Sequence, residues 1–429
     1  MSTICVHGLG YIGLPTAAMF ANYDYDVLGY DTSTEVVDRL EAGEVHFDEP
    51  GLRAFVTQAL ESGNLAVGDE VEPAKYHIIC VPTPFDEETR RADLAYVEAA
   101  GRAIVPHLRT GDTVILESTV PPGTTVEVLQ PILEESGLNA GADFAMVHCP
   151  ETVLPGNIIT ELQQNARIIG GVNGVSTEAA VRLYDSFVEG EIRTTENATT
   201  AEFVKLIQNT FRDTNIALAN EIAKLARDYG ISSREAIALA NQHPRVELHQ
   251  PGPGVGGHCL PIDPWFLGQN SDTLELIAMA REVNDGMTRY VIDILEGELG
   301  SLAGTKIAIL GVAYKGNVGD TRKSPGLKLA REIQETTPVD SDPVAADGGS
   351  GTEIVLHDPH VSDQTLDLEP LDSALSGADG IVIATDHDEY EELDPHRYRE
   401  ETGEAIVVDS RSILDVSEWN DAGFTVHTI

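Results

Sequence analysis

The segment PGPGVGGHCLPIDP, residues 251–264, places a cysteine where the chain can form neither a helix nor a strand. Its four glycines and four prolines favour turns instead. A cysteine that only fills a core normally lies in an apolar helix or strand, so Cys259 is a candidate nucleophile. Asp263 follows it by four residues, and Gly256 and Gly257 precede it. A tight turn with a purely structural cysteine is the alternative interpretation.

Two polar residues in a long amphipathic segment are spaced so that they can act on one atom. Lys205 and Asn209 are four residues apart in TAEFVKLIQNTFRDTNIALANEIAKLARDYG, whose apolar residues recur at helical spacing. Side chains four apart share a face of a helix, so an ammonium and an amide can converge on one oxygen. The sequence predicts one long helix from Thr199 to about Tyr229. A lysine that faces solvent is the alternative.

A glycine pattern near the N-terminus has the spacing of a dinucleotide-binding turn. Gly8, Gly10 and Gly13 directly follow the apolar run TICVH. Such glycines permit a tight turn, close approach of the backbone to a pyrophosphate, and close helix packing. Asp31 lies 18 residues after Gly13, where a carboxylate can accept hydrogen bonds from both ribose hydroxyls. A 2′-phosphate would be repelled there, so the pattern favours NAD over NADP. A turn needed only for packing is the alternative.

The balance of charge argues against several classes of partner. The chain has 71 acidic residues against 27 Lys and Arg, a formal net charge of −44, and only seven lysines. We therefore expect neither nucleic acid nor an anionic membrane as a partner. So acidic a chain with 42% apolar residues is typical of adaptation to high salt. An ordinary acidic enzyme is the alternative.

The chain shows no sign of a membrane span, a secretion signal or a metal motif. No apolar run approaches the roughly 20 residues that cross a bilayer, and the N-terminus lacks a basic segment followed by an apolar one. We therefore expect a cytoplasmic protein. The spacing of Cys5, Cys80, Cys149 and Cys259 matches no metal site, so it predicts reduced thiols and no bound metal. The first three lie in or beside apolar runs and are expected in the core.

The order of the predicted elements indicates an α/β fold. In the first half, apolar runs alternate with amphipathic segments, which is typical of a parallel sheet covered on both faces. Strand patterns stop between about Thr199 and Glu298 and then resume. We predict two Rossmann-like, doubly wound domains joined by an all-helical central domain with a long helix. The expected domains are 1–198, 199–298 and 299–429, and 338–351 is predicted to be a mobile surface loop.

Together, these motifs resemble the UDP-glucose/GDP-mannose dehydrogenase family over almost the entire chain. Within the family, PETVLPG and HPRVELHQPGPGVGGHCLPIDPWFL are most similar to UDP-N-acetyl-D-mannosamine dehydrogenases. The other matching pieces are GLGYIGLP, VPTP at 81–84, ESTVPPGTT at 117–125, KLIQN at 205–209 and YKGNVGDTRKSP at 314–325. The resemblance implies that NAD binds at Gly8, Gly10, Tyr11, Ile12, Gly13, Asp31, Pro82, Thr83 and Thr119.

The resemblance also implies a reaction. Enzymes of the family oxidise the C6 alcohol of a nucleotide sugar to a carboxylate with two NAD. The first hydride transfer gives an aldehyde, and a second hydride can leave only from a tetrahedral carbon that carries an alkoxide. A thiolate that adds to the aldehyde creates that carbon, and loss of the hydride leaves a thioester for water to hydrolyse. The resemblance therefore assigns Cys259 as the nucleophile.

The remaining catalytic roles follow from the same resemblance. Lys205 and Asn209 stabilise the developing alkoxide, and Asp263 acts with Lys205 or an ordered water as proton acceptor. Thr119 and Glu151 hold this water, and Glu151 is favoured for assisting thioester hydrolysis. Which group is the formal base stays open, and turn or cap roles are the alternatives for Asp263 and Thr119.

The resemblance places the UDP end of the substrate on the last domain and predicts a homodimer through the long helix. Surface ion pairing is the alternative for each of the predicted cationic contacts, and His243 and Arg245 can belong to the site of a partner subunit. The expected substrate-binding residues are Glu151, Lys205, Asn209, His243, Arg245, Gly257, Tyr314, Lys315, Arg322 and Arg411.

Three other functions compete with oxidation of UDP-N-acetyl-D-mannosamine. UDP-glucose 6-dehydrogenase is the nearest, but Ile262 stands where the glucose-oxidising branch carries a lysine. A 3-hydroxyacid dehydrogenase also joins a dinucleotide domain to a helical one, but it lacks the cysteine loop and the third domain. A non-catalytic nucleotide-sugar-binding protein would need no nucleophile.

Overall fold

A computed structural model of the protein describes residues 3–47, 49–154, 156–336, 351–402 and 405–429. The chain forms two compact units. The first contains Met1–Gln208 and Trp265–Thr273, and the second contains Asn209–Pro264 and Leu274–Ile429. The loop predicted at 338–351 lies, except for its last residue, outside the described residues. The predicted domain boundaries after residues 198 and 298 stay predictions.

The first unit is built on an eight-stranded sheet in the order β10-β9-β8-β7-β4-β1-β2-β3. All neighbouring strands are parallel except β8 and β9. The strands are β1 (Ile4–His7), β2 (Val27–Tyr30), β3 (Leu65–Gly68), β4 (Tyr76–Ile79), β7 (Thr113–Leu116), β8 (Ala145–His148), β9 (Arg167–Gly171) and β10 (Ile192–Thr194), and β5 (Phe85–Asp86) and β6 (Arg91–Ala92) form a separate hairpin. The helices are α1 (Gly13–Asn22), α2 (Thr34–Glu41), α3 (Leu52–Glu61), α4 (Ala95–Ile104), α5 (Gln130–Glu134), α6 (Ile158–Gln164) and α7 (Gly174–Tyr184).

The apolar runs TICVHG, YDVLGYD, YHIICVP, DTVILEST and FAMVHCP predict β1, β2, β4, β7 and β8, and sequence reasoning missed β3, β9 and β10. These three are short or contain glycine, which weakens a strand pattern. Buried residues on both faces confirm that the sheet is covered on two sides: Val114 and Leu116 of β7 pack on one face and Ile115 on the other. The strand order reverses between β1 and β4, and ligands of such sheets bind at the carboxyl ends of the strands at this point.

Five helices follow the first sheet, and the described residues between β10 and β11 contain no strand, as predicted. They are α8 (Ala198–Asp228), α9 (Ser233–Ala240), α10 (Asp263–Gly268), α11 (Leu276–Asp285) and α12 (Met287–Leu299). Helix α8 confirms the predicted long helix to within a residue. Its start is capped by Asn197, whose Oδ1 accepts from the backbone N–H of Thr200 at 2.8 Å. Gly230, with a φ of 66°, supplies the left-handed residue that stops it.

The second unit contains a fully parallel five-stranded sheet in the order β12-β11-β13-β14-β15. Its elements are β11 (Lys306–Leu310), α13 (Pro325–Thr336), β12 (Glu353–His357), α14 (Leu371–Leu375), β13 (Gly380–Ile383), α15 (Asp388–Glu391), α16 (Pro395–Thr402), β14 (Ile406–Asp409), α17 (Val416–Asp421) and β15 (Thr425–Thr428). Ile307 and Ile309 pack on one face, and Ala308 and Leu310 on the other. This order is also doubly wound, with its reversal between β11 and β13.

No helix in the described part of the chain combines the length and the hydropathy that a membrane crossing requires.

Candidate active site

The turn between β1 and α1 has room for a dinucleotide on one side only. Gly8 has a φ of 89°, and a Cβ there would lie 2.9 Å from the carbonyl oxygen of Cys80. A Cβ at Gly13 would overlap the Gly8 carbonyl oxygen. At Gly10 a Cβ would meet no described atom within 4 Å, so this side of the turn is open. The packed glycines and the open one fit a backbone that pyrophosphate approaches at the start of helix α1.

Asp31 directly follows β2, and its carboxylate is fixed beside this turn. Its Oδ2 accepts from the backbone N–H of Leu9 at 2.8 Å, and its Oδ1 accepts from that of Ser33 at 2.9 Å. Each carboxylate oxygen has more than one acceptor site, so both can still accept from a ribose hydroxyl. The arrangement therefore fits the adenosine ribose of NAD.

Two further loops lie at the carboxyl edge of the same sheet. Thr83, after β4, donates its hydroxyl to the carbonyl oxygen of Thr119, after β7, at 2.8 Å. Pro82 beside it is exposed, and Tyr11 of the glycine turn donates its hydroxyl to Glu49 at 2.6 Å. The fold thus brings the predicted cofactor residues to one edge of one sheet.

The cysteine loop ends in a tight turn that presents Cys259 to solvent. The carbonyl oxygen of Cys259 accepts from the backbone N–H groups of Ile262 and Asp263 at 3.1 and 2.9 Å. None of the four cysteines, all of which the structure describes, forms a disulfide. Cys5 and Cys149 are buried and Cys80 is partly buried, whereas Cys259 is exposed. The exposed thiol is the one in the glycine-rich loop.

The glycines before Cys259 pack against the segment that follows β11. A Cβ on Gly256 would lie 2.7 Å from the Cβ of Tyr314, and one on Gly257 would lie 3.0 Å from the Tyr314 ring. Gly257 has a φ of 84° and donates its N–H to the carbonyl oxygen of Arg322 at 2.9 Å. The loop can therefore lie this close to Tyr314 and Arg322 only without side chains at these two positions.

Asp263, four residues after the cysteine, contacts one of the two polar residues predicted on helix α8. Asn209 donates its side-chain N–H to the Asp263 carboxylate at 2.6 Å, and both side chains are buried. This bond fixes the orientation of the amide. Lys205 lies one turn before Asn209 on α8 and is half-buried.

Glu151, just after β8, is a buried carboxylate whose two oxygens are both held. Its Oε1 accepts from the backbone N–H groups of Thr152 and Val153 at 2.6 and 3.1 Å. Its Oε2 forms an ion pair with Arg167 of β9, and both side chains are almost fully buried. Arg167 and the two backbone N–H groups thus fix the orientation of this carboxylate.

The predicted cations of the second unit differ in their surroundings. Arg322 forms an ion pair with Asp320, with Nε–oxygen distances of 3.0 Å. Arg411 donates from Nε to the carbonyl oxygen of Ala384 at 3.0 Å, and its guanidinium lies 3.3 Å from where a Cβ on Gly252 would be. The side chain of Lys315 is exposed.

Comparison with known proteins identifies this arrangement. Residues 2–188, 199–286 and 308–416 match the NAD binding, central and UDP binding domains of the UDP-glucose/GDP-mannose dehydrogenase family. The chain belongs to this family. The predicted resemblance is thereby confirmed, and the chain is an NAD-dependent oxidoreductase of the nucleotide-sugar dehydrogenase type.

Relatives of this family that cover nearly the whole chain carry one recurring name. The UDP-N-acetyl-D-mannosamine dehydrogenase of Methanococcus maripaludis is 43% identical, and the aligned region covers 99% of this chain and 96% of the relative. The structure of UDP-D-ManNAc dehydrogenase from Pyrococcus horikoshii is 42% identical, with a TM-score of 0.89 and coverage of 99% and 98%. The native UDP-N-acetyl-mannosamine dehydrogenase from Staphylococcus aureus is 38% identical, with a TM-score of 0.84 and coverage of 99% and 97%. These relatives and structures confirm the predicted fold class.

The structure brings together part of the set that the family resemblance predicted. In the second unit, Cys259 and Gly257 lie in the loop that packs on Tyr314 and Arg322, and Asn209 contacts Asp263. In the first unit, the predicted cofactor residues share one sheet edge. His243 and Arg245 are exposed in the turn after α9, where the N–H of Arg245 donates to Nδ1 of His243 at 3.3 Å.

Sequence reasoning missed Arg167, the ion-pair partner of Glu151. The signal was an arginine at the start of the apolar run RIIGG, because a charged residue in a buried strand requires a buried partner. Desolvation, and then the charges of Arg322 and Lys323, lower the pKa of His258. His258 is therefore neutral at neutral pH and supplies no positive charge to the neighbouring thiol.

Proposed function

We propose that this family member oxidises UDP-N-acetyl-D-mannosamine to UDP-N-acetyl-D-mannosaminuronate in a four-electron reaction with two NAD. The observation that carries the proposal is the exposed Cys259 at the end of a loop that only glycines allow to pack on Tyr314. A packing cysteine would be buried, as Cys5 and Cys149 are. The names of the relatives described above support this sugar.

The first oxidation needs a proton acceptor for the C6 hydroxyl. Asp263, acting with Lys205 or an ordered water, takes this proton, and the hydride leaves C6 to give the aldehyde. NAD supplies the hydride acceptor in this step and in the second oxidation. The residues that fit it are Gly8, Gly10, Tyr11, Ile12, Gly13, Asp31, Pro82, Thr83 and Thr119.

The second oxidation uses the thiolate of Cys259. The sulfur adds to the aldehyde carbon and forms a C–S bond, and the carbonyl oxygen becomes an alkoxide. Lys205 and the oriented amide of Asn209 stabilise this alkoxide, and preorganised donors of this kind lower a barrier by roughly 3 to 4 kcal/mol each. Loss of the second hydride leaves a thioester on Cys259.

Hydrolysis completes the reaction. A water held by Glu151 and Thr119 attacks the thioester carbon, the C–S bond breaks, and the sulfur leaves as thiolate. The net change consumes one water and two NAD, and it releases the carboxylate, two NADH and three protons. Each proton and electron pair is thus accounted for by groups of this chain, by water or by NAD.

The UDP end of the substrate is assigned to the second unit. Tyr314, Arg322 and Gly257 lie together at the cysteine loop, and Arg411 lies against Gly252 of the same loop. Arginine suits a diphosphate because its planar group donates two parallel hydrogen bonds. His243, Arg245 and Lys315 are exposed and available to an anionic ligand, and they complete the proposed set.

UDP-glucose is the second candidate substrate. Ile262, where the glucose-oxidising branch has a lysine, is buried and apolar in this chain. That substitution removes a positive charge three residues from Cys259, and it favours the N-acetylated sugar.

The test measures NADH per sugar in molar salt with UDP-N-acetylmannosamine, UDP-N-acetylglucosamine, UDP-glucose and GDP-mannose. We expect two NADH and one uronate from UDP-N-acetylmannosamine. The variants C259A and C259S should form no uronate, while C5A, which removes a buried thiol, should keep the stoichiometry of two. Two NADH and free uronate at a near-normal rate from C259A would exclude the thioester route, and turnover of UDP-glucose alone would reassign the substrate.

A homodimer through helix α8 is also part of the proposal. Phe211, Leu218 and Leu225 recur every seven residues on this helix and are 50 to 55% exposed. Such a stripe is typical of a helix that packs against a second helix. Adaptation to high salt and a cytoplasmic location remain predictions from composition.

A further inference from the structure

A buried group of side chains surrounds Glu151 inside the first unit. Glu117 follows β7, Cys80 follows β4, Cys149 follows β8, Arg167 begins β9 and Tyr184 ends α7. We call these five residues, with Glu151, the carboxylate cluster. All are buried except Cys80, which is partly buried. The proposed reaction uses Glu151 alone, so the other members have no role assigned.

The cluster contains two carboxyl groups and one guanidinium, and the guanidinium pairs directly with Glu151. Arg167 donates from a terminal nitrogen to Glu151, and its other terminal nitrogen makes a 3.5 Å contact with the carbonyl oxygen of Leu162. Its Nε is buried and has no hydrogen-bond partner among the described residues. An arginine that served only to crosslink the fold would be expected to use this donor as well. The strongest interaction of Arg167 is therefore directed at Glu151.

Glu117 is bonded to uncharged groups instead. It accepts from the hydroxyl of Tyr184, from the thiol of Cys80 at 3.1 Å and from the hydroxyl of Thr16 at 3.4 Å. Burial raises the pKa of Glu117, Arg167 opposes this shift, and the negative charge of Glu151 reinforces it. Two adjacent buried carboxyl groups cannot both be ionised beside a single cation without a large cost. The geometry thus directs the positive charge of Arg167 to Glu151, while Glu117 is held by uncharged donors.

We infer that Arg167 is a positioning residue that holds the Glu151 carboxylate in the orientation needed for hydrolysis of the Cys259 thioester. The inference rests on the proposed function, and it concerns the last step of that reaction only. Arg167 holds one oxygen of Glu151, and the backbone of Thr152 and Val153 holds the other. A carboxylate fixed in this way can orient a water by its remaining acceptor sites. Neither hydride transfer depends on this group.

The main test separates oxidation from hydrolysis in a single turnover of UDP-N-acetylmannosamine. R167Q keeps a neutral polar donor on a shorter side chain and removes the charge, and R167K keeps a charge on a long side chain. In R167Q we expect both NADH to form at normal rates while uronate release falls on the order of 100-fold, the loss expected when a catalytic group is misplaced by about 1 Å. The thioester should then accumulate on Cys259 and be visible by intact mass. R167K should retain most of the rate.

Two comparisons show whether Arg167 acts through Glu151. In the double variant E151Q/R167Q no buried charge is left unpaired, so this variant remains testable even if R167Q folds poorly. Its hydrolysis rate should equal that of E151Q, because the effects of coupled residues do not add. R182Q is the matched control, since Arg182 is an exposed arginine of the same unit paired with Glu178 at 3.8 Å. It should hydrolyse the thioester like the wild type.

The outcomes also distinguish this inference from the proposed function. Normal uronate release in R167Q, an equal loss of NADH formation and hydrolysis, or a double variant slower than E151Q would each overturn the role of Arg167. Uronate formation by the wild type, together with no Cys259 adduct in E151Q, would instead overturn the thioester route itself.

Discussion

At the scale of single residues, burial decides which cysteine can react. Burial raises the pKa of the Cys5 thiol to about 12 and also raises that of Cys149. A thiol must ionise to act as a nucleophile, so these two are inert at neutral pH. Cys259 is exposed at a turn, and the neighbouring glycines determine where that turn lies.

Gly257, in the cysteine loop, gives a first prediction. In G257A the new Cβ would be 3.0 Å from the Tyr314 ring at a φ of 84°, so the loop must move, and such strain costs of the order of 1 to 3 kcal/mol. We expect uronate formation to fall at least about tenfold while NAD binding is retained. The control is G297A, at an exposed site in the interior of α12 where a Cβ meets no described atom within 4 Å. That variant should be fully active and more stable by about 0.5 to 1 kcal/mol. Equal activity of both variants would contradict the packing argument.

A buried glutamate gives a second prediction, on pH. Glu202 accepts from the N–H groups of Gly123 and Thr125 and from the Thr125 hydroxyl, but burial outweighs these bonds and raises its pKa from 4.5 to about 7. The folded state then binds the proton more tightly than the unfolded chain does, so protonation of Glu202 stabilises the folded state. This contribution to the free energy of unfolding is fully present below about pH 4.5. It is lost as the pH rises through 7, and its size is on the order of 3 kcal/mol. Thermal unfolding of wild type and E202Q in molar salt checks it. The difference in Tm, wild type minus E202Q, should fall between pH 5 and 8, and a constant difference would show that Glu202 does not titrate in this range.

At the scale of elements, helix α8 holds several loops through polar side chains. Asn215 donates to the carbonyl oxygen of Glu247 and accepts from the N–H of His249. Asn220 accepts from the N–H of Gly252, where the cysteine loop begins, and donates to Asn284. The backbone before Cys259 is thus fixed by the same helix that carries Asn209. Because these polar residues occupy one part of the helix surface, the exposed apolar stripe lies on another.

That stripe gives the third prediction. L218E places a charge in the middle of the series formed by Phe211, Leu218 and Leu225, so burial in a helix–helix interface would become costly. We expect sedimentation in molar salt to show a dimer for the wild type and a monomer for L218E. V175E, which changes an apolar residue that is 71% exposed on α7, is the control and should remain dimeric. A wild-type monomer at working salt would remove the dimer proposal.

The two sheets each carry an aspartate after their second strand, and these two aspartates serve different purposes. Asp31 follows the second strand of the first sheet, and Asp358 follows the second strand of the other. Asp358 accepts from the N–H groups of Val312, Ala313, His360 and Val361 and contacts His387 at 3.1 Å. Burial alone would raise the pKa of Asp358, but these bonds lower it to about 2. Its acceptor sites are occupied by the protein, whereas Asp31 keeps sites for a ribose.

At the scale of the whole molecule, the net charge of −44 governs behaviour in salt. Charges act over about 10 Å at 0.1 M salt and over about 3 Å at 1 M. At low salt the acidic residues therefore repel one another and also repel anionic substrates. We expect Tm and activity to rise together with KCl and to fall on dialysis into 0.1 M KCl. Sorbitol at equal osmolality, which screens no charge, should not replace the salt. Full activity and an unchanged Tm at 0.1 M would show that the acidic surface is not a salt adaptation.

The sequence by itself determined the chemistry and the class of fold. The G-x-G-x-x-G turn with Asp31, the Lys205–Asn209 spacing and the cysteine loop are local patterns, because each depends on residues that are close along the chain. The long helix and the strands with continuous apolar runs are local in the same sense.

Only the tertiary structure decided which distant residues meet. Arg167 reaches Glu151 across 16 residues, Asn209 reaches Asp263 across 54, and Cys5, His7 and His77 meet inside a sheet although no cysteine spacing indicates a cluster. Ion pairs and buried hydrogen bonds form wherever the packed strands and helices bring partners together. Sequence separation carries no information about that distance, so these contacts follow from packing alone.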